Sequence, residues 1–156
     1  MQVISHLKSM GAERFLHIYQ SLENQGFGPL DGEVAKLMKF RPQAIRKLPM
    51  AQRASRAKTF VERGANTELA YELFGTYLLK VQKELVTDFL DATGVEHDDG
   101  MIDNLENVSP KVDKLGDVIG ELDGKFDKED VTLYLSMCSE QWPETSELAA
   151  AYEKRA

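Results

Sequence analysis

Between Lys36 and Arg63 the chain carries nine cationic side chains and a single acid, Glu62. A guanidinium presents a planar fork of donors that matches carboxylate or phosphate oxygens two at a time, and an ammonium adds a compact point charge. The candidate binding patch is therefore Arg41, Gln43, Arg46, Lys47, Arg53 and Arg56, and its chemistry suits an anionic surface. The rest of the chain has the opposite balance. From Glu84 onward there are 19 acids against six bases, and the net charge of the whole sequence is −7. Two outcomes are open. The acidic half and the basic segment neutralise each other within the fold, or the basic segment remains a contact surface for a partner.

Residues 31 to 50 resemble the helix-turn-helix of bacterial regulators. Ala35 matches the small residue of the first helix, where two helices approach closely. Met38 and Phe40 match core positions beside the turn, and Ile45 and Leu48 match the inward positions of the second helix. The resemblance implies that Gln43, Arg46 and Lys47 face outward, where such a helix meets the major groove of DNA. Two positions depart from that pattern. Lys39 stands where glycine usually supplies a positive φ, and Pro49 stops the second helix after about residue 48. After it, Arg53, Arg56 and Arg63 recur at helical spacing, opposite Ala54, Ala57 and Val61, so these arginines are expected at the surface.

Other candidates for chemistry are weaker. In Val95 to Glu106, Asp99, Gly100, Ile102 and Glu106 fall at calcium-loop positions five, six, eight and twelve. Val95 and His97 occupy the first and third, where oxygen ligands are required, so calcium should bind poorly. His97-Asp98 is a metal-binding pair in type only; the other histidines, His6 and His17, belong to the first helical segment. Cys138 lies on an apolar helix face, which suits a buried structural thiol. No nucleophile elbow, P-loop or dinucleotide glycine pattern occurs. No catalytic residue, cofactor or metal is assigned, and binding is expected in place of catalysis.

These residues need elements to hold them, and helices are expected throughout. With 42% hydrophobic and 29% charged residues over 156 positions, the composition is that of a globular chain large enough for a substantial core. Val3, Ile4, Leu7, Phe15, Ile18, Tyr19 and Leu22 share one helical face. Short helices are expected over 31 to 40 and 50 to 63. Asn66 caps a long central helix over about 66 to 92, with Gly94 beyond it and a close helix crossing at Gly75. Ser109-Pro110, Asp127 and Trp142-Pro143 mark three further helix starts. The expected fold is all-α, a single-domain bundle of about six or seven helices over residues 1 to 156. A subdivision into 1 to 94 and 109 to 156, joined by the acidic loop, is the one break in it.

The opening residues read as neither signal peptide nor transmembrane segment, so no membrane role is expected, and the lone cysteine suits a cytoplasmic setting. The functional expectation is a cytoplasmic, non-enzymatic protein-interaction module that binds another protein or its own copy through the basic patch. The alternative is a nucleic-acid-binding protein using the same residues.

Overall fold

The computed structural model describes residues 2–25, 47–64 and 67–155. Eight α-helices lie among them: α1 (Gln2–Ser9), α2 (Ala12–Asn24), α3 (Met50–Gly64), α4 (Thr67–Lys80), α5 (Lys83–Ala92), α6 (Leu115–Lys125), α7 (Lys128–Gln141) and α8 (Ser146–Glu153). No strand occurs among the described residues. The expected all-helical class is what the chain adopts, with a count slightly above six or seven. The helix expected over 31 to 40 lies outside the described residues. The chain separates into two compact units, Val3–Leu73 and Phe74–Ala156, divided within α4.

In the first unit, the apolar face expected from one helix is carried by two. Gly11 interrupts the run in an extended conformation (φ −68°, ψ 155°) and starts α2. Leu7 is buried on α1, and Phe15, Ile18, Tyr19 and Leu22 are buried on α2. Pro49 heads α3, its carbonyl accepting from the Gln52 and Arg53 amides, as a residue before the first helical turn should. Ala54, Ala57 and Val61 form the buried side of α3, and their small size suits its close packing on α2.

The single helix expected over about 66 to 92 is two helices, and its expected cap, Asn66, lies outside the described residues. The break falls at Val81 and Gln82, where the backbone leaves helical geometry (Gln82 φ −118°, ψ 39°). The Gln82 side chain donates to Asp130 Oδ2 at 2.8 Å, so a bond to α7 holds the chain at its bend. Beyond Ala92 the chain stops as its glycine predicts. Gly94 takes φ 73°, its amide reaches Asp91 O, and the Val95 amide reaches Leu90 O at 2.9 Å. That pair of bonds is the Schellman closure of a helix, and Val95 is buried over it.

Two helix starts differ from expectation. Ser109-Pro110 begins no helix: α6 starts only at Leu115, and the Lys111 amide donates to the Thr93 carbonyl at 2.8 Å, tying the segment across the end of α5. Trp142 closes α7 and does not open α8; its ring is buried, and Nε1 donates to Val108 O at 2.8 Å. Asp127 does cap α7, accepting from the Glu129 amide at 2.7 Å.

The wrapped helix is α7. Every residue from Leu133 to Ser139 is buried, which covers its whole circumference. Ser136 and Ser139 tolerate this by donating to the carbonyls three residues back, at 2.6 and 2.7 Å. Tyr134 meets Phe89 of α5 edge to face, with centroids 5.2 Å apart. Gly75 of α4 faces the Met137 side chain of α7, and a Cβ there would stand 3.5 Å from Met137 Cε, an ordinary contact, so no close helix crossing demands the glycine.

Candidate functional site

Of the six residues of the basic patch, Arg41, Gln43 and Arg46 lie outside the described residues, as does nearly all of the helix-turn-helix resemblance. Lys47 is exposed and Arg56 half-buried. Arg53 departs from its expected place at the surface. It is 8% exposed and ion-pairs with Glu23 of α2, with its guanidinium carbon 5.8 Å from the Tyr19 ring centre. This side chain joins α3 to α2. Helical spacing fixed the angle at which Arg53 leaves α3, but not that Glu23, thirty residues earlier, stands opposite it. Lys58 pairs with Glu62 one turn along the same helix. On α1, burial first and Arg14 second hold the His6 imidazole below its ordinary pKa.

The division of the chain sorts its charge. The unit Val3–Leu73 has 11 basic residues and seven acids, and the unit Phe74–Ala156 has eight and 19. The basic segment and the acidic half therefore belong to separate compact bodies.

In the acidic unit, the stretch read against a calcium loop is a tight hairpin turn. Asp98 and Met101 exchange backbone hydrogen bonds at 2.8 and 2.9 Å, and Asp99 and Gly100 between them take φ 54° and 92°. Two successive positive φ values are the mark of a type I′ turn, for which Asp-Gly is a favoured pair. Gly100 is required twice, since a Cβ there would come within 3.1 Å of Leu79 Cδ2. His97 braces the turn. Its Nδ1 accepts from the Gly100 amide at 3.0 Å, so Nε2 carries the proton toward Asp91 Oδ1 at 2.7 Å. Asp99 pairs with Lys83 at 2.5 Å.

Between α5 and α6 runs an open cleft of about 460 Å³. Its apolar lining is Ala92, Val118 and Leu122, and its charged lining is Asp88 and Asp91 from α5 and Glu121 and Lys125 from α6. The Lys125 ammonium reaches Asp88 Oδ2 at 2.8 Å and Glu84 Oε1 at 2.9 Å, and these two hydrogen bonds raise its pKa. A second groove, about 390 Å³, lies between α6 and α8 over Leu115, Gly116, Ile119, Ala150 and Ala151. Neither groove was visible in the sequence, which showed an acidic half but not which helices would lie side by side.

Two further groups are structural. Arg155 donates to both Asp123 oxygens at 2.7 Å, to Thr132 Oγ1 at 2.9 Å and to Lys128 O at 3.1 Å. That fork holds the Asp123 carboxyl below its usual range. Cys138 is fully buried, and burial pushes its thiol up to about 12, far from the reactivity of a nucleophile. Among the described residues no group of three or more metal-ligating side chains converges, and no helix is long and apolar enough to cross a membrane. Compared with known proteins, the chain matches no protein family, no curated protein and no solved structure.

Proposed function

We propose that the chain is a non-enzymatic protein-interaction module that works through charged surfaces. The observation that supports this is the sorting of charge: 11 bases against seven acids in one compact unit, eight against 19 in the other. A protein partner can present both signs and meet either unit. A nucleic acid carries charge of one sign only, on its phosphates, and is repelled by the acidic unit wherever it comes within a Debye length, about 8 Å at physiological salt. The contact surface we assign to the basic unit is Arg41, Gln43, Arg46, Lys47 and Arg56. Arg53 serves it from within, by joining α2 and α3. A cytoplasmic location accords with the lone buried Cys138.

The immobilised chain should retain specific proteins from an extract of its source cells, with or without nuclease, and lose them when Lys47 and Arg56 become glutamate. Duplex DNA, followed by fluorescence anisotropy at 150 mM salt, should bind no tighter than roughly micromolar, at the upper end of non-specific affinity. Nanomolar binding to a discrete sequence, lost in Arg46→Glu, would establish nucleic-acid recognition in place of this reading.

A further inference from the structure

We infer that the cleft between α5 and α6 is a docking groove for a basic amphipathic helix of a partner protein, one that sets apolar side chains between lysines or arginines. The inference rests on the protein-interaction reading and supplies the partner's chemistry. The apolar part of the lining is Ala92, which is exposed, with Val118 and Leu122 buried beside it. Its charged lining is three carboxylates, Asp88, Asp91 and Glu121, against one ammonium, Lys125. That ammonium already lies between Asp88 and Glu84, so Glu84 adds a fourth carboxylate beside the cleft. Among the described residues Glu121 forms no ion pair, and it is exposed. An apolar strip bordered by excess negative charge is the complement of a helix with an apolar stripe and a basic flank.

The spacing of the lining residues fits a helix as occupant. Asp88, Asp91 and Ala92 stand at i, i+3 and i+4 on α5, and Val118, Glu121, Leu122 and Lys125 at i, i+3, i+4 and i+7 on α6. Rows at these spacings are the ridges between which the side chains of a third helix interdigitate. The surrounding unit, with 19 acids and eight bases, would draw a cationic helix toward the cleft at low ionic strength.

The test uses the full chain and a fluorescein-labelled amphipathic peptide of lysine, leucine and alanine, with a counterpart carrying glutamate for lysine. Anisotropy at low salt should show saturable binding of the lysine peptide and none of the glutamate peptide. Glu121→Lys reverses a lining charge, and Ala92→Trp adds bulk to the apolar lining without changing charge. Each should weaken the lysine peptide about fivefold or more, whereas Glu144→Lys, of equal charge change outside the cleft, should alter it less than twofold. Equal weakening by Glu121→Lys and Glu144→Lys would reduce the effect to overall charge and overturn the inference. So would an unchanged affinity in Ala92→Trp, or a dimer of the chain abolished by Ala92→Trp, which would make a second copy the occupant. Absence of peptide binding while proteins are still retained from extract removes the groove alone. Peptide binding with no protein retained removes the interaction reading.

Discussion

The sharpest energetic prediction concerns Asp130, a carboxyl 1% exposed at the start of α7. One oxygen accepts from the Tyr77 hydroxyl at 2.9 Å and the other from the Gln82 amide at 2.8 Å. Tyr77 is fully buried on α4, and Gln82 is half-buried at the bend before α5. Replacing Asp130 by alanine takes the acceptor from a hydroxyl shut away from water, which costs about 1–3 kcal/mol for that group alone. The Gln82 amide reaches solvent more easily and adds less, so the expected total is about 3 kcal/mol. Against a typical domain stability of about 5–15 kcal/mol that loss is severe. Tyr77→Phe deletes the donor and leaves nothing stranded on α4; it should cost about 1–2 kcal/mol. In the double variant the bond between the two side chains is lost once and not twice, so the two costs should fall short of their sum by about 1 kcal/mol or more. Urea titrations of the four proteins at neutral pH, followed by far-ultraviolet circular dichroism, measure this directly. A Tyr77→Phe cost within about 0.3 kcal/mol and strict additivity would refute the reasoning.

Three further outcomes are expected. Gly120→Ala should raise stability by up to about 1 kcal/mol, because nothing lies within 4 Å of its Cβ position and alanine is the better helix former; a lower melting temperature would contradict this. The Asp123 carboxyl is held low by Arg155, so its contribution is present above about pH 4 and lost as pH falls through the folded-state value. The stability gap between the native protein and Arg155→Gln should accordingly be open at neutral pH and narrow on acidification. Cys138 should resist thiol reagents at pH 8 until urea unfolds the chain, and labelling of the native protein at the rate of a free thiol would show that α7 is not closed around it.

Local signals carried far in this chain. Asp127 caps α7 and Gly94 closes α5 because a cap needs only its own side chain, or its own φ, and the amides beside it. Ser109-Pro110 carries an equally good local signal and starts no helix; the segment is instead tied by the Lys111 amide to the carbonyl of Thr93, sixteen positions before Ser109. The wrapped helix was obscured for a related reason. Ser136 and Ser139 read as polar interruptions of an apolar face, yet each returns its hydroxyl to its own helix backbone and packs inward. The run over 66 to 92 shows more apolar residues and was expected at the centre, but the Gln82 bond to Asp130 divides it. Of the candidate site, the excess of basic residues was legible and the burial of Arg53 was not, because its partner Glu23 lies on another helix. The α5–α6 cleft depends wholly on which helices become neighbours, a choice that no single stretch of residues records.

The three glycines of α6 have a consequence for motion. Gly116, Gly120 and Gly124 recur every fourth residue on one open side of an eleven-residue helix, leaving a strip of backbone shielded by no side chain of its own. α7 next to it has no bare side at all. Amide protons along α6 should therefore exchange with solvent through local opening, at free energies well below that of unfolding the unit, while those between Leu133 and Ser139 wait for global unfolding. The wall of the cleft that bears Glu121 would then be the wall that breathes.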